Sequence, residues 1–265
     1  MIREAEAFTI RQFMEQVRSP ANLFWTVVWP IFWLLLGFYI FLAGIPEAGV
    51  AYARGSMTIQ MVAFGLATLG MVSLAGSIAA DREGGLYLKL SSMPISASGE
   101  MLGRLLGSLI FGLMAAAAIT AIGIGLGSKF EAGLSDAVKA APFFITLLLS
   151  AAGIGLTIAN LVKRANAVTG IGVTLLVAGS AVSGIFTPYP FLPETLKTFS
   201  RLYPVSSSMH VIKRILLPSE FNTMRYGFDP LESHYIAYAI MASIATLAVG
   251  LIIHSAARIR RARTL

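Results

Sequence analysis

Six long apolar runs without a single charged residue lie along the chain. The runs cover residues 19–46, 55–80, 105–128, 140–162, 165–193 and 233–257. A helix rises about 1.5 Å per residue, so about 20 apolar residues cross a hydrocarbon core of about 30 Å. The runs lack the alternation of apolar and polar residues that membrane β-strands require. The pattern therefore predicts six transmembrane helices, at about residues 22–44, 57–80, 103–127, 140–162, 167–187 and 234–256.

The composition agrees with a single membrane domain over residues 1–265. Hydrophobic residues make up 56% of the chain and charged residues 12%, whereas a soluble domain carries about 25% charged residues. Intrinsic disorder is excluded because the chain has ample apolar surface to bury. The absence of cysteine excludes disulfide frameworks and thiolate metal sites. The predicted fold class is an all-α integral membrane protein.

The basic residues predict how the spans are oriented. With the N-terminus inside, the inner segments hold 12 Lys and Arg residues and the two short outer loops hold 3. We therefore expect a multi-pass protein of the cell membrane with both termini in the cytoplasm. The net charge of +7 favours contact with the anionic lipids of the inner leaflet. Nucleic acid is a poor alternative partner, because the charges are scattered and lie at the ends of spans.

The residues before the first span, 2–18, predict an amphipathic helix. Ile10, Phe13, Met14 and Val17 recur at helical spacing among charged residues. Such a helix is typical of a segment that lies in the membrane interface. The alternative is a solvated start to the first transmembrane helix.

Two features inside the spans indicate helix packing. Gly103 and Gly107 lie four residues apart, a spacing that allows two helices to approach closely. Trp25, Trp29 and Trp33 recur on one face of the first span. Aromatic stripes at this spacing usually reflect packing. The alternative for the deeper two is a place in a dimer seam or a contact with a transported molecule.

The segment 81–100 is the largest predicted cytoplasmic insertion between two spans. Gly84 and Gly85 break the preceding helix, and Pro94 ends any short helix that follows. Leu86, Leu88 and Leu90 lie between these breaks and are apolar. A short apolar-faced helix outside the membrane predicts a partner protein, and packing on its own chain is the alternative.

Prolines interrupt the segment 188–217, which follows the fifth span. They are Pro188, Pro190, Pro193 and Pro204. The apolar pieces between them are too short to cross a bilayer, which is typical of re-entrant or interfacial helices. An ordinary outer loop is the alternative.

The sequence lacks the motifs of an enzyme. It contains neither Gly-x-Ser-x-Gly nor His-Glu-x-x-His, and it contains no Gly-Lys dipeptide and hence no Walker A motif. The charge-free runs hold no Asp or Glu, which most proton-driven transporters carry within their spans. We therefore expect no catalytic residue, no metal and no cofactor on this chain, and any ATP-driven transport requires a separate ATPase.

Three stretches together resemble one family, the membrane subunit of type-2 ABC exporters, which is related in architecture to the ABCG transporters. The stretch 81–94 is similar to the family pattern E-R-E-x-G-T-L-E-x-L-x-x-x-P between spans two and three. The stretch 153–167 resembles the end of the fourth span with its basic inner loop. The third stretch, 184–204, resembles the proline-rich region after span five. The N-terminal pattern around the first span, with Pro20, Pro30 and Phe41, resembles that of the antibiotic-export branch of the family.

The resemblance implies half of a transporter, which pairs with a second copy or a sister permease and with an ABC ATPase that holds ATP and Mg²⁺. The implied coupling residues are Arg82, Glu83, Gly85, Leu86, Leu88, Leu90 and Pro94. The implied lining of the pathway is Met61, Phe64, Thr68, Thr174, Val177 and Ser180. The implied outer re-entrant segment carries Gly184, Pro188, Pro193 and Pro204.

The function expected from this resemblance is ATP-driven export of a hydrophobic or amphipathic molecule, such as a drug, an antibiotic or a lipid. Export of a lipid-linked polysaccharide by the same architecture is one alternative. A secondary transporter or channel is another, and a membrane anchor without cargo is a third. If the chain is a membrane anchor, the 81–94 segment should bind no ATPase.

Overall fold

The computed structural model describes residues 2–44, 47–91, 95–187, 192–218 and 235–263, and these ranges contain helices and turns but no strand. An all-α membrane protein is thereby confirmed. We number the helices in chain order as α1 (Ile2–Arg18), α2 (Pro20–Phe41), α3 (47–83), α4 (Leu86–Ser91), α5 (Ala97–Gly125), α6 (Leu134–Leu161), α7 (Ala165–Val182), α8 (Glu194–Leu202), α9 (Pro204–Leu216) and α10 (Tyr235–Arg263).

Six of these helices are long and apolar enough to cross a membrane, namely α2, α3, α5, α6, α7 and α10. The number of spans agrees with the sequence prediction. The second span is much longer than predicted, because its candidate segment Gly49–Glu83 has 35 residues. Charged residues at both of its ends, such as Arg54 and Asp81, hid these extensions from the charge-free pattern.

The helix α3 forms the centre of the bundle. Its most apolar 18-residue window is 89% buried, whereas that of α10 is 17% buried. Midway along α3, residues Leu69–Leu74 adopt a π-helical turn, and all six of them are buried. Gly172 of α7 faces this turn so closely that a Cβ atom on it would lie 2.7 Å from the carbonyl oxygen of Met71. Two spans thus meet backbone to backbone at the core.

The N-terminal helix α1 packs lengthwise on the beginning of α5. The contact runs through Gly103 and Gly107, where an added Cβ would overlap the backbone of Ala5 and Thr9. The two glycines therefore allow close packing, in agreement with the sequence pattern. On its other side α1 exposes apolar side chains, namely Ile10, Met14 and Val17. An amphipathic helix with one face on protein and one apolar face outward suits a membrane interface.

The segment after span five folds into two short helices. In α9, every residue from Pro204 to Lys213 is buried, and the helix packs against α6 and α10. In α8, the side chains of Leu196 and Phe199 are exposed. The predicted proline interruption is thus a pair of helices, of which only the second lies inside the bundle.

Candidate functional site

The short helix α4 follows a tight turn at the end of α3. Gly85 has a φ of +73°, a left-handed conformation that costs a glycine little. After this turn, α4 directs Tyr87 and Leu90 inward, where they are 8% and 5% exposed. Leu86 packs against the same core cluster, while Lys89 is exposed. The helix therefore rests on its own chain by one face and presents another face outward.

Not every predicted coupling residue can be located. The side chain of Leu88 and the whole of Pro94 lie outside the described residues. Among the located residues, Leu90 belongs to the core and holds α4 in place, so it is not part of an outward-facing surface. Glu83, Gly84 and Lys89 are exposed at this end of the molecule.

Two of the predicted coupling residues form hydrogen bonds with the connection between α6 and α7. The guanidinium of Arg82 donates hydrogen bonds to the carbonyl oxygens of Val162 and Lys163, at 2.7 and 2.6 Å. The carboxylate of Glu83 accepts a hydrogen bond of 2.8 Å from the backbone N–H of Ala165. The first and second stretches of the family resemblance are therefore in direct contact. The end of α3 that precedes α4 is thus hydrogen-bonded directly to the start of α7.

A network of ion pairs lies beneath this turn. Asp81 pairs with Arg104 of α5 and, at 2.5 Å, with Arg11 of α1. Arg104 also pairs with Glu100 at 3.1 Å, and their side chains are only 1% and 0% exposed. A buried charge is costly unless it is paired and hydrogen-bonded. The network therefore ties α1, α3 and α5 together at the end of the molecule that carries α4.

Sequence reasoning missed this network. Glu100 and Arg104 are four residues apart at the start of α5, a helical pairing that can be read from sequence. The partners in α1 and α3 lie 92 residues (Gln12) and 23 residues (Asp81) away from Arg104 along the chain. No local pattern indicates which distant charges meet.

A second contact fixes α1 to the turn that precedes α5. The hydroxyl of Ser96 donates a 2.7 Å hydrogen bond to the Glu4 carboxylate, and this bond lowers the pKa of Glu4. Ser96 also caps α5 by accepting a hydrogen bond from the N–H of Gly99.

Burial raises the pKa of the Tyr87 hydroxyl and that of the Glu15 carboxyl. Tyr87 is therefore a neutral side chain, as its position in the core requires.

The six predicted pathway residues do not share one surface within a single chain. Three of them, Met61, Phe64 and Thr68 of α3, are packed in the core. Ser180 is also buried, whereas Thr174 and Val177 face outward on α7. The described part of the chain leaves this outward pair uncovered.

The opposite end of the molecule is organised by a turn at Gly184. This glycine has a φ of +79°, and its carbonyl oxygen accepts hydrogen bonds from Lys213 at 3.0 Å and Gln60 at 3.3 Å. Pro204 is buried in the first turn of α9, and Pro193 is the exposed residue that precedes α8. Pro188 lies outside the described residues. Gly184 thus links the end of span five to α3 and α9.

The tryptophans of α2 belong to a chain of neighbouring aromatic rings. The ring centroids of Trp25 and Trp29 are 5.3 Å apart, and those of Trp29 and Trp33 are 6.1 Å apart. Trp33 in turn lies 6.2 Å from Phe186, which lies 5.3 Å from Phe64 in the core. Trp33 therefore packs toward the core, whereas Trp25 is 45% exposed.

Among the described residues, no group of three His, Asp or Glu side chains could hold a metal ion. The features that remain at this end are a short helix with one exposed face, its buried anchor residues and the contacts of the preceding end of α3 with α5 and with the α6–α7 connection.

The comparisons with known proteins identify the family. The model of the ABC-2 type transporter family matches residues 3–217, which cover α1 to α9. No curated protein matches the chain. Such a match assigns a membrane-spanning component of an ABC transporter, which pairs with an ABC ATPase subunit. On this match and on its six apolar spans, the chain belongs to the ABC-2 type transporter family.

Proposed function

We propose that this chain is the permease of an ATP-driven exporter and that α4 with its preceding turn is the surface on which the ATPase docks. The observation that carries the proposal is the two-sided contact of α4. Tyr87 and Leu90 hold the helix in the core, while Glu83, Gly84 and Lys89 remain exposed. A partner that binds the exposed side would therefore move a helix that is firmly joined to the bundle.

The contacts of the α3–α4 turn give such a movement a route into the spans. Arg82 and Glu83 hold the α6–α7 connection, and α3 itself is the most buried span. Packed helices change between discrete arrangements and do not deform continuously, so a small displacement at one end can shift a whole span. ATP is hydrolysed on the partner, and this chain supplies binding and transmission.

The cargo that fits these spans is hydrophobic or amphipathic, and the proposed direction is outward. The six charge-free runs leave no fixed charge for coordinating a free ion. The exposed face of α7, with Thr174 and Val177, is the part of the proposed pathway that a second permease would complete. The proposed state is thus a pair of permeases with two ATPases, with the pathway along the seam.

Docking can be tested by co-purification of the tagged chain with its cellular ABC ATPase. We expect Lys89→Glu and Gly84→Trp each to reduce the recovered ATPase at least fivefold, because both alter the exposed surface without touching the core. Lys139→Glu is the matched control, since Lys139 is an exposed lysine near the start of α6 and belongs to neither α4 nor its preceding turn. Full recovery of ATPase by both α4 variants, with the control unchanged, would refute docking at α4.

The orientation can be tested separately because the chain has no cysteine. Thr195 of α8 and Asn166 of α7 are both exposed and suit single-cysteine labelling. We expect Thr195→Cys to react with a membrane-impermeant maleimide in intact cells, and Asn166→Cys to react only after permeabilisation. The reverse pattern would place the termini outside and overturn the direction of coupling.

A further inference from the structure

A groove lies between the beginning of α5 and the last turns of α10, on the side of the molecule that carries α4. Its volume is about 510 Å³, within the range of about 300–1,000 Å³ that is typical of ligand sites. Its walls are nearly all apolar, and they include Met101, Leu102, Leu105, Leu251, Ile252 and His254.

The floor of the groove is held by the protein core. Met101 is buried, and Leu105 and Leu251 pack against the same cluster. At the rim, Leu102 and Ile252 are 47% and 66% exposed. The groove is therefore a formed depression between two candidate membrane spans, with a buried floor and an exposed apolar rim.

The end of α10 supplies a complementary charge. The helix continues to Arg263, and the sequence places Arg258, Arg260, Arg261 and Arg263 on it. With about 1.5 Å of rise per residue, the first of these arginines lies about 6 Å along the axis from His254 of the groove. Basic clusters beside crevices between spans are typical of sites for anionic lipid headgroups.

We propose that this groove binds an anionic phospholipid, with one acyl chain along the apolar walls and the headgroup at the basic end of α10. A helix that lines an apolar trough and carries four arginines in its following turns matches a molecule with a hydrocarbon chain and a negative head. A neutral lipid would satisfy only the trough, and a second copy of this chain would bring the same positive charges together. The proposal does not depend on ATPase docking.

The position of the groove connects lipid binding with α4. His254 lies in the groove wall, its ring centroid is 6.0 Å from that of Tyr87, and its Nδ1 is 3.3 Å from the amide nitrogen of Asn160. Tyr87 is one of the two residues that hold α4 in the core. A lipid in the groove would therefore stabilise the wall on which α4 rests.

Native mass spectrometry of the purified full chain in detergent tests the proposal, with phosphatidylglycerol and phosphatidylcholine of identical acyl chains as probes. We expect at least fivefold more bound phosphatidylglycerol. Ser255→Trp, which places a bulky ring on a lining residue, should reduce that binding at least fivefold. The matched control is Ala256→Trp, at the next position on α10, which is exposed and outside the lining.

A second pair of variants approaches the groove from α5 in case Ser255→Trp disturbs α10. Leu102→Trp should weaken phosphatidylglycerol binding, while Leu106→Trp, one turn further along and outside the lining, should not. Replacing Arg258 and Arg260 by Gln should remove the preference for phosphatidylglycerol and leave weak binding of both lipids. Equal binding of the two lipids by the unaltered chain, or equal binding by both members of each Trp pair, would overturn the proposal. A dimer of the unaltered chain that is absent only from the spectra of the groove variants would also overturn the proposal, because a second copy of the chain would then occupy the groove.

Discussion

The two ends of this bundle are held together by different means. At the end that carries α4, ion pairs join α1, α3 and α5, since Asp81 bridges Arg11 and Arg104. At the α9 end, neutral hydroxyls predominate, with Ser200 and Ser206 3.0 Å apart and Thr146 and Ser208 3.1 Å apart. Lys213, bonded to the Gly184 carbonyl, is the buried cation that this end contains within the described residues.

The difference follows from what each helix does. The helix α4 keeps one face exposed and is anchored by Tyr87 and Leu90, while the ion pairs fix the neighbouring ends of α1, α3 and α5. The helix α9 is buried over ten consecutive residues, where small hydroxyl side chains allow helices to approach closely and satisfy one another. The comparison predicts that loss of a charge harms the α4 end far more than the α9 end.

The largest expected effect is that of Asp81→Asn. The substitution leaves the nearly buried Arg104 with one carboxylate partner, and breaking a buried ion pair costs about 3–5 kcal/mol. We expect a loss of stability near 3 kcal/mol, measured by thermal unfolding in detergent, together with weaker ATPase recovery. Asp136→Asn removes an exposed pair with Lys139 and should not change the unfolding temperature. Equal effects of the two substitutions would contradict a structural role for the network.

The next largest effect is expected at the turn of the other end. Gly184→Ala forces a Cβ into a left-handed conformation, which costs about 1–2 kcal/mol. Gly170→Ala is the control, because an added Cβ on this helical glycine meets open space and alanine favours a helix. Unfolding of both variants should give a lower midpoint for the first only. A midpoint at Gly184→Ala as high as that of the control would show that the turn tolerates other conformations.

A smaller effect should follow from removing one hydroxyl contact. Ser150 donates a 2.7 Å hydrogen bond to Ser243, joining α6 to α10, and such bonds between membrane helices contribute about 0.6 kcal/mol on average. Ser150→Ala and Ser243→Ala should each cost about that much. The double variant should cost little more than either, because the shared bond is lost once. Strictly additive losses would indicate that the two residues act independently.

The smallest effect is expected for Lys213→Met at neutral pH. Burial lowers the pKa of Lys213 to about 7, and apolar replacement of a buried charged group is often neutral or stabilising. Above about pH 7 the unfolded chain binds a proton that the folded chain releases, so folding stability rises with pH up to the lysine's ordinary pKa of about 10.4. The unfolding temperature should therefore rise more between pH 7 and 9.5 in the unaltered protein than in the variant. Parallel pH profiles would contradict the burial of this amine.

The sequence predicted the spans well because the membrane imposes a simple rule on them. A charge is costly in a hydrocarbon core, so its absence over 20 residues marks a crossing. The same rule failed at the ends of α3, where Arg54 and Asp81 belong to a helix that continues beyond the apolar run. There the helix is maintained by tertiary contacts, which a charge count does not detect.

The orientation of α4 could not be read from its residues. Leu86, Leu88 and Leu90 alternate in sequence and suggested one apolar face, but a helix does not place residues two apart on one face. Tyr87 and Leu90, three apart, are the pair that the helix buries. The ion-pair network at the same end was only partly readable, because Arg104 meets Glu100 four residues away but also Gln12 and Asp81 from two distant parts of the chain.

The central claim is that the exposed side of α4 contacts a separate ATPase, and cross-linking tests it most directly. Because the chain has no cysteine, Lys89→Cys carries a single reactive site, and Lys139→Cys is its control. After treatment of membranes with a short thiol-to-amine cross-linker, we expect an adduct that contains the ABC ATPase with Lys89→Cys and none with Lys139→Cys. An ATPase that co-purifies with both variants but forms its adduct only at position 139 would contradict the account.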